Sequence, residues 1–185
     1  TFHHENETAR PDIYSVDFDN GIRTDVTATD HGAIYRFEFT GDTSSILIDQ
    51  LVNSSKLTIS GDTVSGWVDG GSGWPGRTRM FVYGTFDREP ATAGATTQSD
   101  RNGTARYAAF DTTSDRTVEL RLSSSFISQD QAEKNHEFEL DGVSFDQAHA
   151  AVRDAWNDRL GVVHDVVGAS DTQLVTLYSS LYRLN

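Results

Sequence analysis

The chain has 185 residues, a hydrophobic fraction of 36% and no cysteine. Its 28 acidic side chains outnumber 15 basic ones, and the resulting formal net charge of −13 argues against nucleic acid and anionic membrane as partners. The lack of cysteine removes disulfide frameworks, thiolate zinc sites and cysteine nucleophiles, and no apolar run approaches the ~20 residues of a membrane span.

The opening, TFHHENETARPDIYSVDF, places His3, His4, Glu5 and Glu7 ahead of the first strand-like stretch. Neighbouring side chains of an extended segment point in opposite directions, so His3 and His4 are poorly placed to share one metal ion. The helical His-Glu-x-x-His spacing is also missing. As an acid/base pair the acids lack evident burial to tune them, and a solvated terminus is the plain alternative. Thr1 in place of methionine is what a trimmed or mature fragment would show.

Asp19-Asn20-Gly21, flanked by alternating apolar residues, is a hairpin signal, because Asn-Gly accepts the positive φ of a tight turn. A calcium loop fits the same stretch badly: glycine falls on a ligand position and no glutamate closes the loop. AIYRFEFT, SSILIDQL, KLTIS, TVSGWV, RMFVYGTF, ARYAAF and TVELRLSSS follow as short β-branched or aromatic runs bounded by turn residues. They predict an antiparallel β-sandwich over residues 1–143. EPATAGATTQSDRNG is small, polar and patternless, and predicts a long surface loop.

Within this region, Trp67 and Trp74 flank a glycine-rich turn in TVSGWVDGGSGWPGRTRMF. An exposed indole stacks on the apolar face of a sugar, although Trp67 at a strand end reads equally well as a core residue. SSSFISQDQAEKNHEFEL predicts a strand entering a short capped helix, its polar residues satisfying backbone groups. His31, between Asp30 and Gly32, reads as a turn residue; His149 and His164 read as packing or exposed residues. No Gly-x-Ser-x-Gly elbow supports a serine triad.

The period then changes. Phe145, Ala148, Val152, Trp156 and Leu160 recur at helical steps, with Ser144 and Gln147 as a capping box. After a GVVHDVV strand or connector, Asp171 is expected to cap a second helix carrying Leu174, Leu177, Tyr178, Leu181 and Tyr182. Residues 144–185 are therefore expected to be helical linkers leading to a domain beyond this chain.

Several stretches together resemble the family 92 glycoside hydrolases, which are exo-acting α-mannosidases. Residues 2–7 with Pro11, Tyr14, Ser15 and Val16 are similar to the family's Phe-Ser-His-x-x-Glu and Pro-Gly-Tyr-Tyr-x-Val. DVTAT at 25–29, SFISQDQAEKN at 125–135, the helix with Trp156 and Leu160, and the closing LYSSLYRLN continue the likeness in order. His3 stands where the family has serine, and Asp12 and Ile13 replace its Gly-Tyr.

The resemblance implies a bacterial enzyme, secreted or at the cell surface, with an N-terminal sandwich (supersandwich-like) followed by an (α/α)-barrel. It implies that calcium, its ligands and the catalytic carboxylates of an inverting hydrolysis lie beyond Asn185, with none of them in this chain. The sandwich would complete the pocket for a mannose-containing glycan. Its expected contacts are Phe2, His3, His4 and Glu5 of the N-terminal segment with Trp67 and Trp74, one tryptophan stacking and His4 and Glu5 hydrogen bonding hydroxyls. A freestanding carbohydrate-binding sandwich without catalytic activity is the alternative.

Overall fold

The computed structural model describes residues 1–49, 55–71, 76–97 and 104–184. A short 3₁₀ turn, His4–Asn6, leads into β1 (Glu7–Ala9), β2 (Tyr14–Asp17), β3 (Arg23–Ala28), β4 (Gly32–Glu38), β5 (Thr43–Ile48) and β6 (Ser55–Ser60). Then come β7 (Thr63–Gly71), β8 (Arg77–Phe86), β9 (Thr92–Thr97), β10 (Thr104–Asp111) and β11 (Thr117–Ser125). Three helices close the chain: α1 (Gln129–Glu139), α2 (Phe145–Leu160) and α3 (Asp171–Leu184).

All described pairings are antiparallel, in an eight-stranded sheet β1-β2-β3-β4-β11-β8-β7-β6 and a three-stranded sheet β5-β10-β9. The sandwich expectation holds. The β2–β3 hairpin turns at Asp19-Asn20-Gly21 with Gly21 at φ 81°, and the Asn20 side chain accepts from the Ile22 N–H. That is the positive φ for which glycine is the natural residue.

Two elements depart from expectation. The stretch read as a loop contains β9, which pairs with β10 along its length. Its Thr-Ala-Gly-Ala-Thr-Thr forms an edge strand with little buried on either side, so burial imposes no alternation for the sequence to display. Gly94 lies under the Tyr107 ring: a Cβ there would stand 2.8 Å from the Tyr107 hydroxyl and push the side chain aside. The other departure is Glu7–Ala9, a strand too short to carry a pattern.

Period-two alternation lets the large sheet bury both faces. One face turns Val64, Phe86, Val118 and Leu120 onto Ile46, Ala108 and Phe110 of the small sheet. The other turns Ile34 onto Leu140, Phe145 and Ala148 at α1 and α2. Arg36 anchors the same side: its guanidinium lies 4.2 Å over the Phe145 ring and reaches Glu119 at 3.0 Å and Asp146 at 3.1 Å. The capping box of α2 forms as expected, Ser144 Oγ accepting from Gln147 N–H and Gln147 Oε1 from Ser144 N–H.

The cap of α3 is Ser170 rather than Asp171. Its N–H donates to Gln173 Oε1 at 2.9 Å while its hydroxyl receives the Gln173 N–H. A residue one position earlier leaves Asp171 inside the first turn, where its charge suits the helix dipole. The GVVHDVV stretch is a connector without strand pairing. Helix α3 stacks Tyr182 on Trp156 (4.8 Å) and donates the Tyr178 hydroxyl to the Val163 carbonyl, yet contains no buried residue.

Candidate functional site

The N-terminal segment is pinned at one corner of the large sheet. The Asp19 N–H donates to the Thr1 carbonyl at 2.9 Å, and the Thr1 hydroxyl bonds the Asp19 carboxylate. This draws residues 1–3 across the β2–β3 hairpin. Phe2, 41% exposed, meets Phe18 edge to face at 5.9 Å and His4 at 6.3 Å.

His3 lies 3.9 Å from Asp19, and His4 Nδ1 lies 3.6 Å from Glu7. Glu7 in turn accepts the Tyr14 hydroxyl at 2.8 Å, and this carboxylate pushes the Tyr14 phenol up from its usual range. Glu5 is exposed. The corner thus presents an aromatic edge, two imidazoles and acids open to solvent: hydrogen-bonding groups suited to a polyol.

Trp67 sits elsewhere. In β7 its cross-strand neighbours are Lys56 and Phe81, and the Arg79 guanidinium lies 3.6 Å over its ring. Asp69 holds Arg79 in that position through two contacts, 2.8 Å and 3.1 Å. One face of this indole is therefore occupied by a cation rather than open to a sugar. Trp74 lies outside the described residues.

The expectation that the N-terminal segment and Trp67 form a single wall is corrected by topology. Five strands separate β1 from β7 in the sheet, about 29 Å at the usual strand spacing. They also occupy opposite strand ends: Glu7 is level with Val16, on the side of the β2–β3 turn, whereas Trp67 is level with Phe81 and Ser125. Diagonal corners cannot touch one monosaccharide. The sequence could not reveal this, because strand order follows from crossovers and not from local pattern.

Two histidine–carboxylate pairs were also invisible in the sequence. His31 Nδ1 is 2.5 Å from Glu139 of α1, whose other oxygen accepts the Thr29 hydroxyl at 2.6 Å and the His31 N–H at 2.9 Å. Burial alone would raise the Glu139 carboxyl, but these bonds outweigh it and hold the group below its ordinary value. His149 of α2 meets Asp12 at 2.8 Å, and the Asp12 carbonyl accepts the Thr27 hydroxyl. Both pairs fasten helices to sandwich turns. Their partners are 108 and 137 residues apart, so no local signal could have found them.

His136 is a third case, buried between α1 and β8. Its Nε2 is 3.2 Å from the Thr85 hydroxyl, its ring meets Tyr83 edge to face, and its Nδ1 has no partner. Burial, aided by Arg121, lowers its pKa against the pull of Asp141 and Glu137. Three polar residues at the start and middle of this helix satisfy backbone groups as expected. Ser128 caps α1, Gln129 donates to the Val82 carbonyl and Asn135 to the Ser124 carbonyl.

Among the described residues no three His, Asp or Glu side chains converge to hold a metal ion. No helix among them is long and apolar enough to cross a membrane.

Comparison with known proteins matches residues 1–125 to the glycosyl hydrolase family 92 N-terminal domain and residues 131–185 to the family 92 catalytic domain. An inverting family 92 mannosidase of Bacteroides thetaiotaomicron is 30% identical with a TM-score of 0.88, over 98% of this chain and 26% of that one. An α-mannosidase of the same organism shares the fold at 23% identity and TM-score 0.83, over 98% and 27%. An uncharacterized secreted glycosidase of Arthroderma benhamiae is 27% identical over 95% of this chain and 28% of its own length. The chain thus spans roughly a quarter of the length of these relatives. It belongs to glycoside hydrolase family 92, as an N-terminal sandwich domain followed by the opening helices of the catalytic domain.

Proposed function

We propose that this chain is the sandwich side of a secreted, calcium-dependent, inverting exo-α-mannosidase, completing from its N-terminal corner a sugar pocket whose catalytic carboxylates and calcium ligands lie outside it. The observation that carries the reading is the unbroken order of the two matches, sandwich then catalytic opening, within one chain. It favours an enzyme part over a freestanding carbohydrate-binding module. Mannose as the sugar and inversion as the stereochemistry come from the 30% identical relative. Inversion requires two carboxyls far enough apart to seat a water between them.

In this reading residues 144–185 lead from the sandwich into the barrel. The α2–α3 pair and the β1–β2 turn leave a groove of about 660 Å³ lined by Pro11, Leu160, Leu174, Val175, Tyr178 and Tyr182. A helix with an apolar stripe and nothing buried is a face that wants a neighbour. The remainder of the catalytic domain is the neighbour this reading supplies.

Of the expected contacts, the reading retains Phe2, His3, His4 and Glu5 at the corner. Trp67, at the diagonal corner, would contact a different part of the substrate or none. The test is mannose release by the complete enzyme from an α-mannobioside, with and without a chelator, the first-formed anomer being read by proton NMR. β-Mannose, lost on chelation and restored by calcium, is expected. α-Mannose as first product, or full activity in chelator, would refute the corresponding part.

A further inference from the structure

Between the β2–β3 hairpin and β5, the edge strand of the small sheet, runs an open groove of about 320 Å³. Its lining includes the apolar side chains of Phe18, Phe37 and Leu47, the last 52% exposed. Phe37 is held rigidly as the middle ring of a stacked row, Tyr35–Phe37–Phe39, with centroids 6.4 Å and 6.2 Å apart. Among this carbon stand Asn20, Thr24 and Ser45, Thr24 directly across from Phe37.

We infer that this groove holds the inner sugars of the substrate glycan, those beyond the terminal mannose. The inference rests on the proposed function and adds to it a location for the rest of the chain being trimmed. Three observations support it. First, none of the residues lining the groove is charged, although the chain carries −13 overall. An uncharged lining in so acidic a protein suits an uncharged ligand.

Second, a lining that mixes aromatic and aliphatic carbon with uncharged hydroxyls and an amide matches a sugar, which offers apolar ring faces and hydroxyl edges. Asn20 uses its side-chain oxygen on the Ile22 N–H, which leaves the amide nitrogen to donate. The Thr24 and Ser45 hydroxyls belong to the same lining. A polyol that reaches these groups satisfies them.

Third, the groove adjoins the N-terminal corner: Phe18 lines it and also packs edge to face on Phe2. A glycan whose terminal mannose meets the corner would have its next sugars near it.

The test is a nitrogen–proton NMR titration of the 185-residue chain with α-linked mannotriose, with maltotriose as control. Mannotriose is expected to shift Asn20, Thr24, Phe37 and Ser45, and Ser45→Trp, which adds bulk at an exposed position of the lining, is expected to abolish those shifts. Leu47→Glu, placing a charge on the rim, is expected to weaken them without unfolding the chain. Shifts confined to residues 2–7 would overturn the inference while leaving the proposed function standing. No shift anywhere, or groove shifts unaffected by Ser45→Trp, would also overturn it. Groove shifts in a protein whose complete enzyme releases no mannose would instead uphold the groove and sink the proposed function.

Discussion

Leu140→Ala probes whether the helices belong to the sandwich or merely follow it. Leu140 has no exposed surface and packs with Ile34 (0%), Phe145 (2%) and Ala148 (4%), between the end of α1 and the start of α2. Truncation removes three carbons from a site walled on one side by a strand and on the other by a helix, so collapse is limited. Large-to-small changes of this kind cost about 3–5 kcal/mol, the upper part applying where the surroundings cannot close. For a chain of this length each kcal/mol lowers Tm by about 2–4 °C, so a drop of roughly 6–20 °C is expected.

Calorimetry, with near-ultraviolet circular dichroism in parallel, reads it. One transition, shifted as a whole, is the expected outcome. A loss below about 1 kcal/mol would refute the reasoning, because it is less than the transfer of the side chain alone. Two transitions with the later one unmoved would refute it differently, by showing that α1 and α2 melt independently of the sheet.

His136→Gln should flatten the acid limb of stability. Burial lowers the His136 pKa in the fold, so the unfolded chain binds the extra proton first. Stability contributed by the neutral ring is complete above the ordinary histidine value of about 6.5 and is lost as pH falls through the lowered folded pKa; urea melts from pH 8 to 5 would show a shallower decline in the variant. Glu139→Gln should act further down the scale. Its lowered pKa gives stability present above the ordinary carboxyl value and lost as pH falls below it, so the variant's deficit should shrink toward pH 3. Ser144→Ala removes one half of the α2 capping box and should cost about 1 kcal/mol by chemical denaturation. Gly66→Ala should stop β6 and β7 from pairing, because Gly66 sits at φ 137° and a Cβ would lie 1.8 Å from the Lys56 carbonyl oxygen. A soluble Gly66→Ala protein with unchanged melting would contradict that geometry.

What the sequence disclosed was local. Asn20-Gly21 announced a hairpin and Ser144 with Gln147 announced a helix start, because each signal lies within four residues of its effect. The alternating strands were legible where one face is buried, as in β11, whose Val118 and Leu120 point to the small sheet. β9 was not, since an exposed edge of threonine, alanine and glycine has no buried face to mark. The site divided along the same line. The corner from Phe2 to Glu7 is contiguous and its residues do lie together, whereas the partner of Trp67 turned out to be Arg79. The groove beside β5 was illegible for the same reason, as Asn20, Phe37 and Ser45 come together only through the stacking of two sheets.

The reading as a sugar-binding wall is tested most directly by kcat/KM for an α-mannobioside in the complete enzyme carrying His4→Ala or Glu5→Ala. Both side chains are exposed at the corner, so melting temperature should not change. A fall of at least about tenfold, near 1.4 kcal/mol of transition-state stabilisation, is the expected result. Wild-type kcat/KM in both variants would mean that the corner does not touch the substrate.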